Sequence, residues 1–217
     1  MLPQSHFVPL VVNLQNKACI VIGGGKVAAK RVQVLVEAGA KVTIISPELC
    51  DELREQFSKS SFLWIQSYFH PDQIDGVFLV VAATNSSEIN QRVVECAYLK
   101  GILVNSTSDG LSGDVIFPAT VKQGDLMLSV TTLASSPGLT AKIAREMKST
   151  YGSEYKDYVT LLGEMRQMIF ERTDDHGLRV KATRELRQNP RILELLKSQE
   201  LEEARKEALD CILSVLG

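Results

Sequence analysis

The sequence predicts an α/β fold: a doubly wound parallel sheet, followed by a small pair of antiparallel strands and a helical C-terminal region. Three observations lead to this prediction. Apolar strand-like runs alternate with amphipathic helix-like runs over residues 18–105, a glycine-rich turn separates the first strand from the first helix, and the alternation stops after residue 105. A repeated strand–helix–strand order indicates parallel strands joined by right-handed crossovers.

The first half of the chain is expected to supply five strands and three helices. The predicted strands are residues 18–22, 41–46, 62–65, 77–83 and 102–105, and the predicted helices are residues 27–38, 48–59 and 86–100. Gly39 follows the first helix at the position where a left-handed backbone often ends a helix. The fourth strand reads VFLVVAA without a polar residue, which is typical of a strand buried on both faces of a parallel sheet.

A different pattern follows residue 105. The polar loop STSDGLSGD leads into two strand-like segments, VIFPATV and LMLSVTT, and the tetrapeptide KQGD between them suits a hairpin turn. A helix is then expected to begin with Ser136 as its N-cap and Pro137 as its first residue. The remainder is predicted to be helical, with breaks near residues 174–177 and at residues 189–190. The last helix is expected at about residues 199–216.

The composition favours a globular protein whose main partner is neither nucleic acid nor membrane. Of 217 residues, 45% are apolar and 23% are charged, and the formal net charge is −2. No apolar run approaches the roughly 20 residues of a membrane-spanning helix, and the N-terminus lacks the features of a signal peptide. We therefore expect a cytoplasmic protein. The four cysteines form no C-x-x-C pair and have no histidine at ligand spacing, so no metal site is predicted.

The turn GGGKVA at residues 23–28 satisfies the dinucleotide-binding pattern G-x-G-x-x-A. Gly23 allows the tight turn, Gly25 lets the backbone approach a pyrophosphate, and Ala28 permits close packing of helix on strand. The helix N-terminus offers N–H groups and a positive dipole end to the phosphates. The glycines could serve packing alone, but their place between a strand and a helix favours dinucleotide binding. The predicted cofactor-binding residues are Gly23, Gly24, Gly25, Lys26, Val27, Ser46, Pro47, Glu48, Ala83 and Thr84.

The end of the second strand bears on the choice between NAD and NADP. Ser46 stands where an Asp or Glu usually binds the adenosine ribose hydroxyls, and Glu48 could do so instead. No arginine lies there to hold a 2′-phosphate, which mildly favours NAD. The loop of residues 82–85 follows the fourth strand, at the edge of the sheet where cofactors bind in such folds.

Several stretches together resemble one known family. The opening PLVVNLQNKACIVIGGGKVAAKRVQVLVEAGAKVTIISPE is similar to the start of the precorrin-2 dehydrogenase family, which includes the N-terminal module of siroheme synthase. DQIDGVFLVVAATNSSEINQRV, GILVNSTSD, IFPATV and SSPGLTAKIAREM also match the family pattern, in order, over residues 8–150. The resemblance implies an NAD-dependent enzyme that oxidises precorrin-2 to sirohydrochlorin on the route to siroheme. It also implies a homodimer with a Rossmann-like NAD-binding domain (residues 1–113), a dimerisation region (114–150) and a helical C-terminal domain (151–217).

The resemblance also implies a functional aspartate in the loop that follows Val104 and Asn105. A gapless alignment puts the family's aspartate on Ser108, and Asp109 lies one residue later. Asp109 is therefore predicted to be the catalytic carboxylate, acting as a general base or orienting the substrate, with Asp114 as the second candidate. For both residues the alternative is a turn-forming aspartate, which is common in loops rich in glycine and serine.

A second implied feature is a loop rich in serine and glycine before the helix that starts at Pro137. Here Leu133 and Ala134 replace the usual glycines, and Thr132 falls where some bifunctional members carry a phosphorylatable serine. Hydroxyl and N–H groups at a helix N-terminus suit a substrate with many carboxylates, although Ser136 could simply cap the helix. The predicted substrate-binding residues are Asn105, Ser108, Thr132, Ser135 and Ser136.

Other functions remain open from the sequence. A bifunctional dehydrogenase and sirohydrochlorin ferrochelatase is disfavoured because no compact cluster of metal-ligand residues is visible. A non-catalytic NAD-sensing module would need the glycine turn but neither VNSTSD nor SSPGLTAKI. A purely structural domain would bind no cofactor at all.

Overall fold

The computed structural model describes residues 6–58, 62–109 and 111–217. The chain divides into two compact units. The first consists of Met1–Phe117 and Leu133–Ser135, and the second of Pro118–Thr132 and Ser136–Gly217. The predicted division at residues 1–113, 114–150 and 151–217 remains a prediction.

The first unit contains the predicted doubly wound parallel sheet. Its strands are β1 (Ala18–Ile22), β2 (Lys41–Ile45), β3 (Leu63–Ile65), β4 (Leu79–Ala82) and β5 (Leu103–Ser106), in the spatial order β3-β2-β1-β4-β5. Its helices are α1 (Lys26–Glu37), α2 (Asp51–Phe57) and α3 (Ser87–Leu99), and a 3₁₀ turn at Pro71–Ile74 precedes β4. The chain adds β2 and β3 on one side of β1 and then crosses to the other side to form β4 and β5. In such folds ligands bind in the crevice where the strand order reverses.

The register of the central strands brings their carboxyl ends level. Ile22 at the end of β1 pairs with Ile45 of β2 on one side and with Ala82 of β4 on the other. The loops that follow these strands therefore meet at one edge of the sheet. Side chains alternate between the two faces: Val21 packs in the core beneath α1 and α2, and Ile22 packs in the core beneath α3.

Two sequence predictions in this unit need correction. Helix α2 begins at Asp51 and not at residue 48, because residues 46–50 form a loop held by a hydrogen bond from the Ser46 hydroxyl to the Glu48 carbonyl; the predicted end at residue 59 lies outside the described residues. In α3 the apolar residue Ile89, which an amphipathic helix is expected to turn inward, is exposed, and the neighbouring Asn90 is fully buried. Gly39 has a φ of +75°, which confirms the predicted left-handed end of α1.

The second unit begins with the predicted hairpin. Strands β6 (Ala119–Gln123) and β7 (Leu126–Val130) are antiparallel, and their last pair leaves a two-residue turn with Gly124 at a φ of +59°. Helix α4 (Pro137–Thr150) follows, with Ser136 and Pro137 as N-cap and first residue, as predicted.

Four further helices complete the second unit: α5 (Glu154–Arg172), α6 (His176–Gln188), α7 (Pro190–Lys197) and α8 (Leu201–Leu216). They enclose a separate apolar core that includes Met165, Ile169 and Ile212. The break predicted near 174–177 lies at residues 173–175, and the break predicted near 189–190 lies at Asn189. Crossing a bilayer would require a longer and more apolar helix than any in the described part of the chain.

Candidate cofactor site

The glycine turn lies between the end of β1 and the start of α1, and two of its glycines are required by neighbouring backbone. A Cβ atom on Gly23 would lie 2.3 Å from the Ala83 carbonyl oxygen, and Gly23 has a φ of +122°. A Cβ atom on Gly24 would lie 1.9 Å from the Glu48 carbonyl oxygen. The loops after β4 and β2 thus pack directly on the turn. Gly23 is therefore needed for close packing as well as for the tight turn that was predicted for it.

Gly25 differs from its two neighbours because its Cβ position faces open space, with no contact within 4 Å from the described residues. Gly25 is the N-cap of α1, makes no side-chain cap, and is followed by a first turn without acidic residues. The first N–H groups of α1 and its positive dipole end therefore face an exposed surface. This open, uncapped helix N-terminus fits the pyrophosphate of a dinucleotide.

A cavity of about 500 Å³ opens beside the turn. Eight of the ten predicted cofactor residues line it: Gly23, Gly24, Gly25, Ser46, Pro47, Glu48, Ala83 and Thr84. Lys26 and Val27 lie in the first turn of α1 and are not part of the lining. The structure adds a wall that the sequence did not reveal, formed by Ser67, Tyr68 and Phe69 after β3 and by Ser86 and Ile89 at the start of α3. The only sequence signal for the residues after β3 is that a predicted parallel strand ends just before them, at the same edge of the sheet as β1.

Ser46 acts on the protein's own backbone. It is 6% exposed, its hydroxyl donates to the Glu48 carbonyl at 2.6 Å, and its carbonyl accepts a hydrogen bond from Trp64 Nε1 at 2.9 Å. The Cys50 N–H donates to the Gly24 carbonyl at 2.7 Å, which ties the same loop to the glycine turn. Glu48 is exposed and supplies the only carboxylate of the lining, which contains neither lysine nor arginine among the described residues.

Asn90 fixes the loop after β4. Its buried Oδ1 accepts hydrogen bonds from the Thr84 N–H at 3.0 Å and from the Thr84 hydroxyl at 2.8 Å. Its Nδ2 donates to the Thr84 carbonyl at 3.1 Å. The sequence did not identify Asn90, although a polar residue at a buried position of an amphipathic helix is the signal that could have done so.

Asn105, a predicted substrate residue, is 5% exposed and donates from Nδ2 to the Val115 carbonyl at 2.7 Å. Its buried Oδ1 has no hydrogen-bond partner among the described atoms. The chain returns beside it at Gly113, where a φ of +108° and a Cβ position 2.5 Å from the Val104 carbonyl require glycine. Ser108 is exposed, and its hydroxyl lies 3.2 Å from that of Ser106. The loop after β5 is therefore closed largely by bonds to itself.

Asp109 is exposed and forms a turn within this loop. Its carboxylate accepts hydrogen bonds from the Leu111 N–H at 3.0 Å and from the Ser112 hydroxyl at 2.8 Å. These bonds, the Leu111 N–H first, hold the pKa of Asp109 below its ordinary value. Asp114 is also exposed and accepts a hydrogen bond from the Val104 N–H at 3.3 Å. The catalytic assignment of Asp109 remains a prediction.

The loop before α4 is organised by Thr132. The Ser136 N–H donates to the Thr132 hydroxyl oxygen at 3.0 Å, and the hydroxyls of Thr132 and Thr140 lie 2.9 Å apart. The Ser136 hydroxyl makes no capping bond, so the alternative that it serves as a side-chain cap is wrong. Leu133 and Ala134 have φ values of +50° and +64°, a conformation that favours glycine. Ser135 belongs to the segment assigned to the first unit.

The titratable side chains of the described residues form no metal centre. Within the described ranges, no three His, Cys, Asp or Glu side chains lie close enough together to hold a metal ion. All four cysteines are free thiols. Cys19 is 1% exposed, as expected for a thiol in an apolar strand, and burial raises its pKa to about 11.

A parallel sheet whose central strand leads through a glycine turn into an open helix N-terminus defines the class of dinucleotide-binding proteins. A family model described as "Putative NAD(P)-binding" matches residues 10–119. The chain belongs to this NAD(P)-binding family.

Comparison with curated proteins finds siroheme synthases. The chain is 30% identical over 166 residues to the "Siroheme synthase" of Photorhabdus laumondii, covering 76% of this chain and 35% of that protein. It is 33% identical over 165 residues to that of Baumannia cicadellinicola (76% and 36%) and 29% identical over 211 residues to that of Blochmanniella floridana (97% and 46%). The chain thus spans between a third and a half of the length of these relatives.

Among solved structures, the fold is similar to that of "SirC, precorrin-2 dehydrogenase". The TM-score is 0.75, the sequence identity is 24%, and the match covers 96% of this chain and all of the other. The likeness extends over both units of the chain and shows a shared fold.

Proposed function

We propose that this chain is an NAD-dependent precorrin-2 dehydrogenase, which oxidises precorrin-2 to sirohydrochlorin. The observation that carries the proposal is the open glycine turn beside the cavity, in a chain similar to siroheme synthases over three quarters of its length. In this reaction the macrocycle loses a hydride to the nicotinamide and a proton to a base. The protein has to hold the nicotinamide against the macrocycle and provide that base.

The charge of the lining supports NAD over NADP. Glu48 is the only carboxylate that lines the cavity, and no lysine or arginine of the described chain joins it. A carboxylate can accept hydrogen bonds from both ribose hydroxyls, whereas it would repel a 2′-phosphate. We expect NAD⁺ to support turnover at least tenfold better than NADP⁺.

The remaining site residues are proposed by role. The first N–H groups of α1, at Lys26 and Val27, hold the pyrophosphate. Asp109 takes the proton, with Asp114 as the alternative; because the hydrogen bonds that lower the pKa of Asp109 also weaken it as a base, the bound substrate has to displace them before the proton is transferred. The hydroxyl and amide groups that bind the substrate carboxylates are those of Asn105, Ser108, Thr132, Ser135 and Ser136.

We also propose that the chain forms a homodimer through α4 and the β6–β7 hairpin. Helix α4 has apolar residues at helical spacing, yet none of its 14 residues is buried. Leu139 on α4 and Met127 on β7 are each 47% exposed. A second copy would remove this surface from water. Light scattering at micromolar concentration tests this, and a monomer mass would contradict it.

The experiment that tests the activity is anaerobic incubation of the protein with precorrin-2 and NAD⁺. We expect NADH to form together with the absorbance spectrum of sirohydrochlorin, and parallel reactions with NADP⁺ measure the cofactor preference. NAD⁺ binding by calorimetry without turnover would instead indicate a sensor module. Absence of NAD⁺ binding would indicate a structural domain.

A further inference from the structure

The helical part of the second unit contains a basic groove that the proposed reaction does not use. It lies between α5 and α6 and has a volume of about 470 Å³. We call it the arginine groove; its lining includes Arg166, Phe170, Arg179, Val180, Arg184 and Arg187. No aspartate or glutamate of the described chain lines it, although the chain as a whole has a net charge of −2.

The floor of the groove is built around Phe170. The guanidinium carbons of Arg179 and Arg166 lie 4.3 and 5.5 Å from the centre of its ring, and the side chain remains 45% exposed. Arg179 is fixed in place: its Nε donates to the Thr173 carbonyl at 2.7 Å, and its Nη2 donates to Phe170 O and pairs with Asp174. The side chain of Arg179 thus caps the C-terminal end of α5, and its charge is paired with that of Asp174.

The other three arginines have no such partner. Arg166, Arg184 and Arg187 are exposed, and no carboxylate of the described residues lies within 4.0 Å of their side-chain nitrogens. Arg184 and Arg187 share a face of α6 with Val180, at positions i, i+4 and i+7. Elsewhere in the same unit, Arg191 and Arg205 each pair with a glutamate. Three unpaired guanidiniums around one groove repel one another, and an anionic ligand would relieve this repulsion.

We propose that the arginine groove is a second binding site for a polycarboxylate macrocycle, the substrate or product class of the reaction proposed above, on which this inference rests. Guanidinium forks bind carboxylates in a bidentate manner, and the exposed parts of the Phe170 and Val180 side chains provide an apolar surface for the ring. Such a site would hold a tetrapyrrole on the protein outside the cofactor cavity.

The test uses a redox-stable polycarboxylate porphyrin, uroporphyrin, titrated into the full-length protein and followed by fluorescence and calorimetry at low salt. The groove variant is Arg166→Gln/Arg184→Gln, and the control is Arg172→Gln/Lys181→Gln. The control removes the same charge from exposed positions on α5 and α6 that do not line the groove. We expect the groove variant to lose at least tenfold in affinity at one of the sites, the control to change less than twofold, and the thermal midpoints of both to match the wild type.

Three results would overturn the inference: equal binding by the wild type and the groove variant, equal losses in the groove variant and the control, or stronger binding of ATP than of uroporphyrin at the groove. The last would assign the groove to phosphate ligands. The proposed function is judged separately, by NADH formation from precorrin-2. If the wild type turns over precorrin-2 and the groove variant binds uroporphyrin as tightly as the wild type, only the groove proposal is disproved. If uroporphyrin binds at the groove but the wild type shows no turnover, the proposed function is disproved, together with the assignment of the ligand that rests on it.

Discussion

The glycine turn and the loop after β5 both follow strands of the same sheet, yet they are built in opposite ways. In the glycine turn, close approach to other loops fixes Gly23 and Gly24, and the helix N-terminus at Gly25 is left open. In the loop after β5, the carboxylate of Asp109 is already bonded to Leu111 and Ser112. With the roles proposed above, the cofactor end is preformed from backbone groups, whereas the substrate end has to exchange its internal hydrogen bonds for bonds to a ligand.

The largest effect is expected where the turn meets other backbone. Gly23→Ala places a methyl group 2.3 Å from the Ala83 carbonyl oxygen at a φ of +122°, and we expect it to lower the free energy of unfolding by about 3 kcal/mol. Gly76→Ala is the control, because Gly76 has a φ of +69° but open space at its Cβ position; it should cost about 1 kcal/mol. Urea unfolding measures both. Equal losses would mean that close packing does not shape the turn.

The next effect concerns the substrate end. Asp109→Ala should lower turnover about a hundredfold, while NAD⁺ affinity stays within twofold of the wild type, because the residue does not line the cofactor cavity. Steady-state kinetics and calorimetry separate the two quantities. If Asp114→Ala shows this pattern instead, the loop alignment is off and Asp114 is the base.

The pH dependence sharpens the same assignment. Hydrogen bonds lower the pKa of Asp109 below its ordinary 3.8, so the carboxylate is ionised at neutral pH. Its contribution to folding stability is lost only as the pH falls below 3.8 and through the lowered value. Ser112→Ala removes one donor and should raise this pKa toward 3.8. Carboxyl ¹³C NMR titration of wild type and variant measures the change, and an unchanged pKa would show that the Ser112 bond is not formed in solution.

At the open position of the turn we expect an effect on binding alone. Gly25→Ala adds a methyl group where no other described residue lies within 4 Å, so the free energy of unfolding should change by less than about 1 kcal/mol. The methyl group would occupy the space that a pyrophosphate needs, and NAD⁺ affinity should fall tenfold or more. Unchanged NAD⁺ binding would mean that the dinucleotide does not approach this residue.

The sequence predicts the glycine turn better than it predicts the loops proposed to bind the substrate. The succession of strands and helices along the chain and the glycine turn follow from local patterns, since apolar period and glycine spacing are encoded within short windows. Asn90 was missed because a shift of one residue changes the inward face of α3, and Tyr68 because the short strand β3 gives no strong pattern. The hydroxyls of Thr132 and Ser136 cannot be told apart by sequence, since either can bond a helix end or a ligand; in the folded structure it is the Thr132 hydroxyl that bonds the helix end.

A moderate effect is expected at Asn90, which preforms the cofactor end from a distance. Asn90→Ala leaves the Thr84 N–H and carbonyl without their partner, and should cost about 2 kcal/mol in stability and raise the KM for NAD⁺ several-fold with kcat unchanged. Asn90→Asp keeps the acceptor and should restore part of the KM. Gln91→Ala, on the exposed side of the same helix, is the control. A fall in kcat without a change in KM would contradict this positioning role.

The smallest effect tests whether the loop before α4 is strained by its own sequence. Ala134 has a φ of +64°, where a Cβ atom crowds the backbone, so Ala134→Gly should relieve about 1 kcal/mol in the folded state. Glycine also gains freedom in the unfolded chain, which offsets part of this, and we expect a net stabilisation of about 0.5 kcal/mol. Ala144→Gly, within the regular helix α4, should instead destabilise by about 1 kcal/mol. Loss of stability in both variants would show that Ala134 is not strained.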